Sequence, residues 1–124
     1  MPARLKPAAR EDVLAALGRL RAAAAAGEAP AKADLKLLTK HYLALLETKA
    51  PGRSVEVRVP PFAAIQCVPG VRHTRGTPPA VIETDAATWI ELATGESTWS
   101  EAQDSGRISA SGERADLAPY LPLA

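Results

Sequence analysis

The chain has few of the residue types that build catalytic and metal centres. Its 124 residues include one cysteine, Cys67, and two histidines, His41 and His73. A single cysteine excludes an internal disulfide and fits a reducing compartment. Three possible ligands without paired spacing do not make a zinc site. The composition therefore predicts neither a metal nor another cofactor.

Long apolar runs are also missing. No stretch of about 18 apolar residues occurs, as a membrane-spanning helix requires, and the basic N-terminus lacks the apolar core of a signal peptide. We therefore expect a cytoplasmic protein without stable membrane insertion.

Charge of one sign is not in excess. Lysine and arginine number 15 against 14 acidic residues, which gives a net charge of +1. Such a balance provides no general attraction to nucleic acid. A basic patch would lack the exposed aromatic residues that stack on bases. Nucleic acid is therefore not an expected partner; the arginines that a patch would join are Arg53, Arg58, Arg72, Arg75, Arg107 and Arg114.

Large aromatic side chains are scarce as well. Two Trp, two Tyr and one Phe are the aromatic content of a chain whose length fits one domain. A domain of this size buries roughly two-thirds of the surface of its unfolded chain, which is enough for one core. A core of small side chains leaves room for a pocket.

Two helices are predicted after a loose arm over residues 1–9. Apolar residues at spacings of three and four predict a first helix over 10–26, ended by Gly27, and a second over 31–48. The stripe of the first is Val13, Leu17, Leu20 and Ala24; the stripe of the second is Leu35, Leu38, Tyr42 and Leu45. Core packing explains both stripes. If the stripe of the first helix is instead exposed to solvent, a contact with a partner is favoured.

The periodicity then changes to two, which indicates strands. Alternating valines predict a half-buried strand over 54–59, and Pro60-Pro61 a turn or bulge. Residues 62–68, apolar on both faces, predict a central strand. Further strands are expected over 80–84 and over 107–111, the last with Ile108 and Ala110 facing inward. The result is an α+β domain with a sheet of four to five strands.

Boundary signals place two short helices between the last two strands. Asp85 is a predicted helix cap, and Gly95 ends that helix. Thr98 and Glu101 have the spacing of a capping box, and Gly106 closes the second helix. A last helical turn is expected over 116–121.

Two groups of residues invite a chemical interpretation. Cys67 and His73 could pair as nucleophile and base, but a thiol in an apolar strand is inert. No catalytic residue, and hence no enzyme, is predicted. The segment 71–79 carries Arg72, His73 and Arg75, whose charges could hold a carboxylate or a phosphate. A solvated loop explains the same residues. His41, off the apolar stripe, is expected at the surface.

The C-terminal half of the chain resembles the sterol carrier protein superfamily. The similarity lies in a cap, a short helix ending at Gly95, a second short helix and the segment from Gly106 to Gly112, followed by Leu117, Leu121 and Leu123. The similarity covers about residues 31–124. More specifically, the chain resembles a small bacterial branch of the superfamily whose members are free-standing domains. The arm and first helix, residues 1–30, lie outside it. The resemblance implies a twisted, mainly antiparallel sheet with helices on one face.

The resemblance also implies a function. Members of this superfamily bind apolar ligands between sheet and helices, so the chain is expected to bind a lipid, fatty acid or acyl chain without catalysis. The segment with Arg72, His73 and Arg75 would hold an acidic head group. The alternative is an interaction or regulatory module with a filled core that partners an enzyme or a second copy. The implied pocket walls are Trp89, Leu92, Trp99, Ile108, Leu117 and Leu121.

Overall fold

The helices and strands follow the predicted order, with bounds that differ by one or two residues. A computed structural model describes residues 4–70, 80–112 and 115–123. Helix ends fray, which accounts for such differences. The elements are α1 (Arg10–Ala25), α2 (Lys32–Lys49), β1 (Val55–Val59), β2 (Ala63–Cys67), β3 (Ala80–Thr84), α3 (Ala86–Thr94), α4 (Trp99–Asp104), β4 (Ile108–Ser111) and a 3₁₀ turn, Ala118–Tyr120.

The strands form one mixed sheet in the order β2-β1-β3-β4. β1 pairs with β2, and β3 with β4, in antiparallel ladders, while β1 and β3 are parallel. In the centre, Val57 lies opposite both Ile65 and Ile82. The fold is therefore α+β, as predicted, and residues 60–62 form the turn between β1 and β2.

The predicted central position of the second strand is wrong. β2 lies at an edge of the sheet and pairs with β1 alone. Ile65 and Cys67 are buried, whereas Ala64 and Gln66 are exposed. Alanine tolerates exposure, so an apolar pattern that contains it does not require two buried faces.

Helices cover one face of the sheet. Its covered face contains the three valines of β1 and Ile82, all at 1% exposure or less. Ala110 was predicted to face this core, but it is exposed. β4 is the other edge strand, and among its residues only Ile108 is buried.

Trp89 is the centre of the packing between α2 and α3. It is fully buried, and its indole Nε1 donates to the carbonyl oxygen of Thr39 at 3.3 Å. A buried indole needs such an acceptor. α2 in turn packs on β2, so the core is continuous from the sheet to both helices.

The short helices begin at the predicted caps. Asp85 accepts from the backbone N–H of Thr88 at 2.8 Å, and Gly95 ends α3 in the left-handed region at φ 86°. Thr98 and Glu101 form the capping box, each accepting a backbone N–H at 3.1 Å. Hydrogen bonds from the backbone and side chain of Thr98 lower the pKa of Glu101 below its usual value.

The N-terminal arm is docked rather than loose over its described part. The N–H of Leu5 donates to Glu47 Oε1 at 3.3 Å, and the N–H of Ala8 donates to His41 Nδ1 at 3.0 Å. Both acceptors are on α2. His41 is consequently half-buried instead of lying free at the surface.

α1 packs mainly on α2. Val13 and Ala16 are its buried residues. Arg19 donates from Nε and Nη2 to the carboxylate of Asp34 at 2.9–3.1 Å. This bidentate pair joins the middle of α1 to the first turn of α2.

Candidate functional site

A groove of about 260 Å³ lies between α1, the start of α2 and α3. We call it the helix groove. It forms because a link of six residues, 26–31, returns the chain after α1, so that α1 and α2 become neighbours. Its apolar floor comes from three helices and the link: Leu17, Leu20, Ala24, Pro30, Leu35, Ala87 and Ile90.

Charged side chains form the rim of the groove. They are Arg21, Glu28, Glu91 and Glu96. Arg21 Nε lies 3.9 Å from Glu96 Oε1, and both side chains are more than half exposed, so their attraction is weak. Glu91 Oε2 is 3.4 Å from Arg107 Nη1. Within the described part of the chain, the carboxylate of Glu28 has no hydrogen-bond or ion-pair partner.

A family model described as "Bacterial SCP ortholog" matches residues 31–123. The chain belongs to this bacterial SCP family. The predicted likeness to a small bacterial branch of the sterol carrier superfamily is thereby confirmed. None of the curated proteins compared with the chain matches it.

The match divides the helix groove between family and non-family parts. α2 and α3 belong to the bacterial SCP segment, whereas α1 precedes residue 31. α1 contributes Leu17, Leu20 and Ala24, so one complete wall comes from outside the segment.

The six predicted pocket walls lie together in the SCP core. Trp89, Leu92 and Leu117 are at 1% exposure or less, Trp99 and Ile108 are buried, and Leu121 packs partly buried against them. None of the six borders the helix groove. As walls of a ligand pocket they stay a prediction.

The predicted head-group segment lies outside the described residues. Arg72, His73 and Arg75 all fall between positions 71 and 79. Their role as an anion site therefore stays a prediction as well.

The environment of Cys67 does not favour a nucleophile. The side chain is fully buried in β2, and burial raises the pKa of its thiol to about 12, with a smaller contribution from the negative charge of Glu47. The thiolate, not the thiol, is the reactive form, so Cys67 is inert near neutral pH.

Metal binding and membrane insertion would each require a specific set of residues. Across residues 4–70, 80–112 and 115–123, no group of three His, Cys, Asp or Glu side chains is placed to hold a metal ion. None of the helices in that part of the chain has the length and apolar character needed to cross a bilayer.

Sequence reasoning missed the groove because it assigned Leu17, Leu20 and Leu35 to core stripes. All three are only half-buried. The short link could have indicated that the end of α1 lies beside the start of α2. The contribution of α3, through Ala87 and Ile90, had no such signal because the first three strands separate α3 from α1 and α2 in the chain.

Proposed function

We propose that this bacterial SCP domain binds an apolar small ligand without catalysis, and that the helix groove holds its apolar part. The observation that supports the proposal is the groove itself, an apolar floor contributed by three helices beneath a charged rim. Ligand sites typically combine a concave apolar surface with a few polar groups.

The groove differs from the interior between the sheet and the helices, where the apolar side chains are already buried. There, the valines of β1 and α2 residues such as Leu38, Leu43 and Leu46 are fully buried members of one apolar cluster. Protein interiors of this kind are close-packed, and opening them for a ligand costs packing contacts. The groove is open without such a change.

The size of the groove limits the ligand. Its 260 Å³ is slightly below the roughly 300–1,000 Å³ of pockets that hold drug-sized molecules. A single acyl or alkyl chain, or a small aromatic probe, fits this space better than a two-chain lipid.

Binding of the neutral probe N-phenyl-1-naphthylamine would test the proposal. Its fluorescence rises in apolar surroundings, and we expect saturable binding to the intact chain. Ala24→Leu places a larger side chain on the groove floor and should weaken binding about tenfold. Ala25→Leu is the matched control, since Ala25 is exposed and does not border the groove. Equal binding by both variants, or no binding at all, would contradict the proposal.

A second candidate function is favoured by the close packing of the core. A bacterial SCP domain with a filled interior can act as an interaction module for an enzyme or a second copy. Native mass spectrometry of the purified protein, followed by organic extraction, separates the two. A co-purifying lipid or acyl species supports ligand binding. A protein that carries no ligand and does not bind the probe supports the interaction module.

A further inference from the structure

We propose that the helix groove prefers amphiphiles with a cationic head group, such as a primary alkylamine. This inference rests on the proposed function, because it names the class of ligand for the same groove. It also differs from the acidic head group expected for the segment with Arg72 and Arg75.

The rim carries more negative than positive charge. Three carboxylates, on Glu28, Glu91 and Glu96, border the groove together with one guanidinium, on Arg21. Arg21 lies beside Glu96, and Arg107 lies beside Glu91 from behind the rim. Glu28 keeps its charge without a cation among the described residues. A cationic ligand would supply the missing partner.

The end of α1 adds negative potential at the same place. The groove runs along the last turns of this helix, whose aligned peptide dipoles give its C-terminal end a partial negative charge. The last turn contains no basic residue to offset it. Gly27, at φ 69°, turns the chain so that the N–H of Glu28 donates to the carbonyl of Ala23 at 2.8 Å. Glu28 therefore lies at the carbonyl end of the helix.

The positive end of α3 does not cancel this potential. Ala87 borders the groove from the first turn of α3, where backbone N–H groups would attract an anion. The carboxylate of Asp85 already occupies that position, accepting from the N–H and the hydroxyl of Thr88 at 2.8 and 3.0 Å. The negative charge of Asp85 therefore offsets part of the positive potential at this end of α3.

The floor and the rim together define the ligand chemistry. An alkyl chain over Leu17, Leu20 and Ile90 would place its head group at the rim, within reach of carboxylates that make charge-assisted hydrogen bonds to an ammonium. A fatty acid in the same position would bring its carboxylate against three others. Like charges that lie close together repel each other.

Decylamine, decanol and decanoate provide the matched test, because they share one chain and differ in head-group charge at pH 7. Direct calorimetric titration of the intact protein should give the order decylamine, decanol, decanoate, with the amine about tenfold tighter than the acid. The preference should shrink as salt is raised, since the rim is exposed. Decanoate binding as well as or better than decylamine would overturn the inference.

Glu28→Gln supplies the second arm of the test. We expect it to weaken decylamine several-fold and to leave decanol unchanged. Glu11→Gln is the control, because Glu11 is exposed in the first turn of α1, at the opposite end from the groove. Equal loss for both ligands in Glu28→Gln would overturn the head-group preference while keeping the apolar site. If none of the three ligands binds, the proposed function fails together with the inference.

Discussion

Among single residues, Thr39 stands apart because its buried hydroxyl has no hydrogen-bond partner in the described structure. Threonines inside helices commonly donate to the carbonyl four residues earlier. Thr48 and Thr94 do so, to Ala44 and Ile90 at 3.2 and 2.8 Å. An unpaired buried hydroxyl costs about 1–3 kcal/mol.

Thr39→Val should therefore stabilise the protein by about 1 kcal/mol, because valine keeps the shape and removes the unpaired group. Urea denaturation measures the change. Thr94→Val is the control and should be neutral or destabilising, since its hydroxyl is bonded. If Thr39→Val lowers the free energy of unfolding more than Thr94→Val does, the Thr39 hydroxyl has a hydrogen-bond partner.

His41 makes the docking of the arm sensitive to pH. Burial lowers the pKa of His41 below its usual 6.5, and its Nδ1 accepts from Ala8, which requires an unprotonated nitrogen. The unfolded chain thus binds the proton more tightly than the folded chain. Stability is fully present above about pH 6.5 and falls as the pH drops through the folded pKa.

His41→Asn isolates this contribution, because its amide oxygen is an acceptor that does not titrate. Unfolding free energies measured between pH 7.5 and pH 5 should decline less in His41→Asn than in the parent chain. His73→Gln removes the other histidine and should keep the decline. The opposite pattern would assign the effect to His73.

At the scale of elements, the attachment of α1 depends on a close approach to α2. Ala16 is fully buried, with 0% of its surface accessible to solvent. Ala16→Leu should overpack this contact and cost about 1–3 kcal/mol. Ala15→Leu, on the exposed side of the same helix, should change stability by less than about 0.5 kcal/mol. Thermal unfolding of both variants makes the comparison.

Elements with local signals were predictable from the sequence. β3, with its bounds at Ala80 and Thr84, and the caps at Asp85 and Thr98 depend on neighbouring residues only. The edge position of β2 and the exposure of Ala110 depend on which strands pair, a long-range property that alternation does not encode. The docking of the arm depends on His41 and Glu47, more than 30 residues away.

The candidate site divides in the same way. The two walls from α1 and α2 follow from a short link, and the third follows from tertiary packing of α3. Charge adds a feature that no motif indicated: Glu28 is far in sequence from Glu91 and Glu96 and lies beside them only at the rim. A site of this kind has to be recognised from structure.

At the scale of the whole molecule, we propose separate roles for the bacterial SCP segment and for residues 1–30, which we call the N-terminal extension. The segment over residues 31–123 contains the sheet and nearly all buried core residues, whereas α1 contributes Val13 and Ala16. The extension instead completes the helix groove. Its removal should therefore affect binding more than folding.

A chain over residues 31–124 should keep the fold and lose the site. Trp89 is buried by α2, so its fluorescence should keep the emission of a buried indole. Stability should fall by at least the roughly 1.5–3 kcal/mol of one buried apolar side chain, because Val13 is lost. Probe binding should disappear with the α1 wall. Deleting residues 1–9 alone is the matched control and should retain binding, since the described part of the arm, residues 4–9, does not border the groove. A 31–124 chain that still binds the probe would move the ligand site into the family segment, where Trp89 and Leu92 would become its candidate walls.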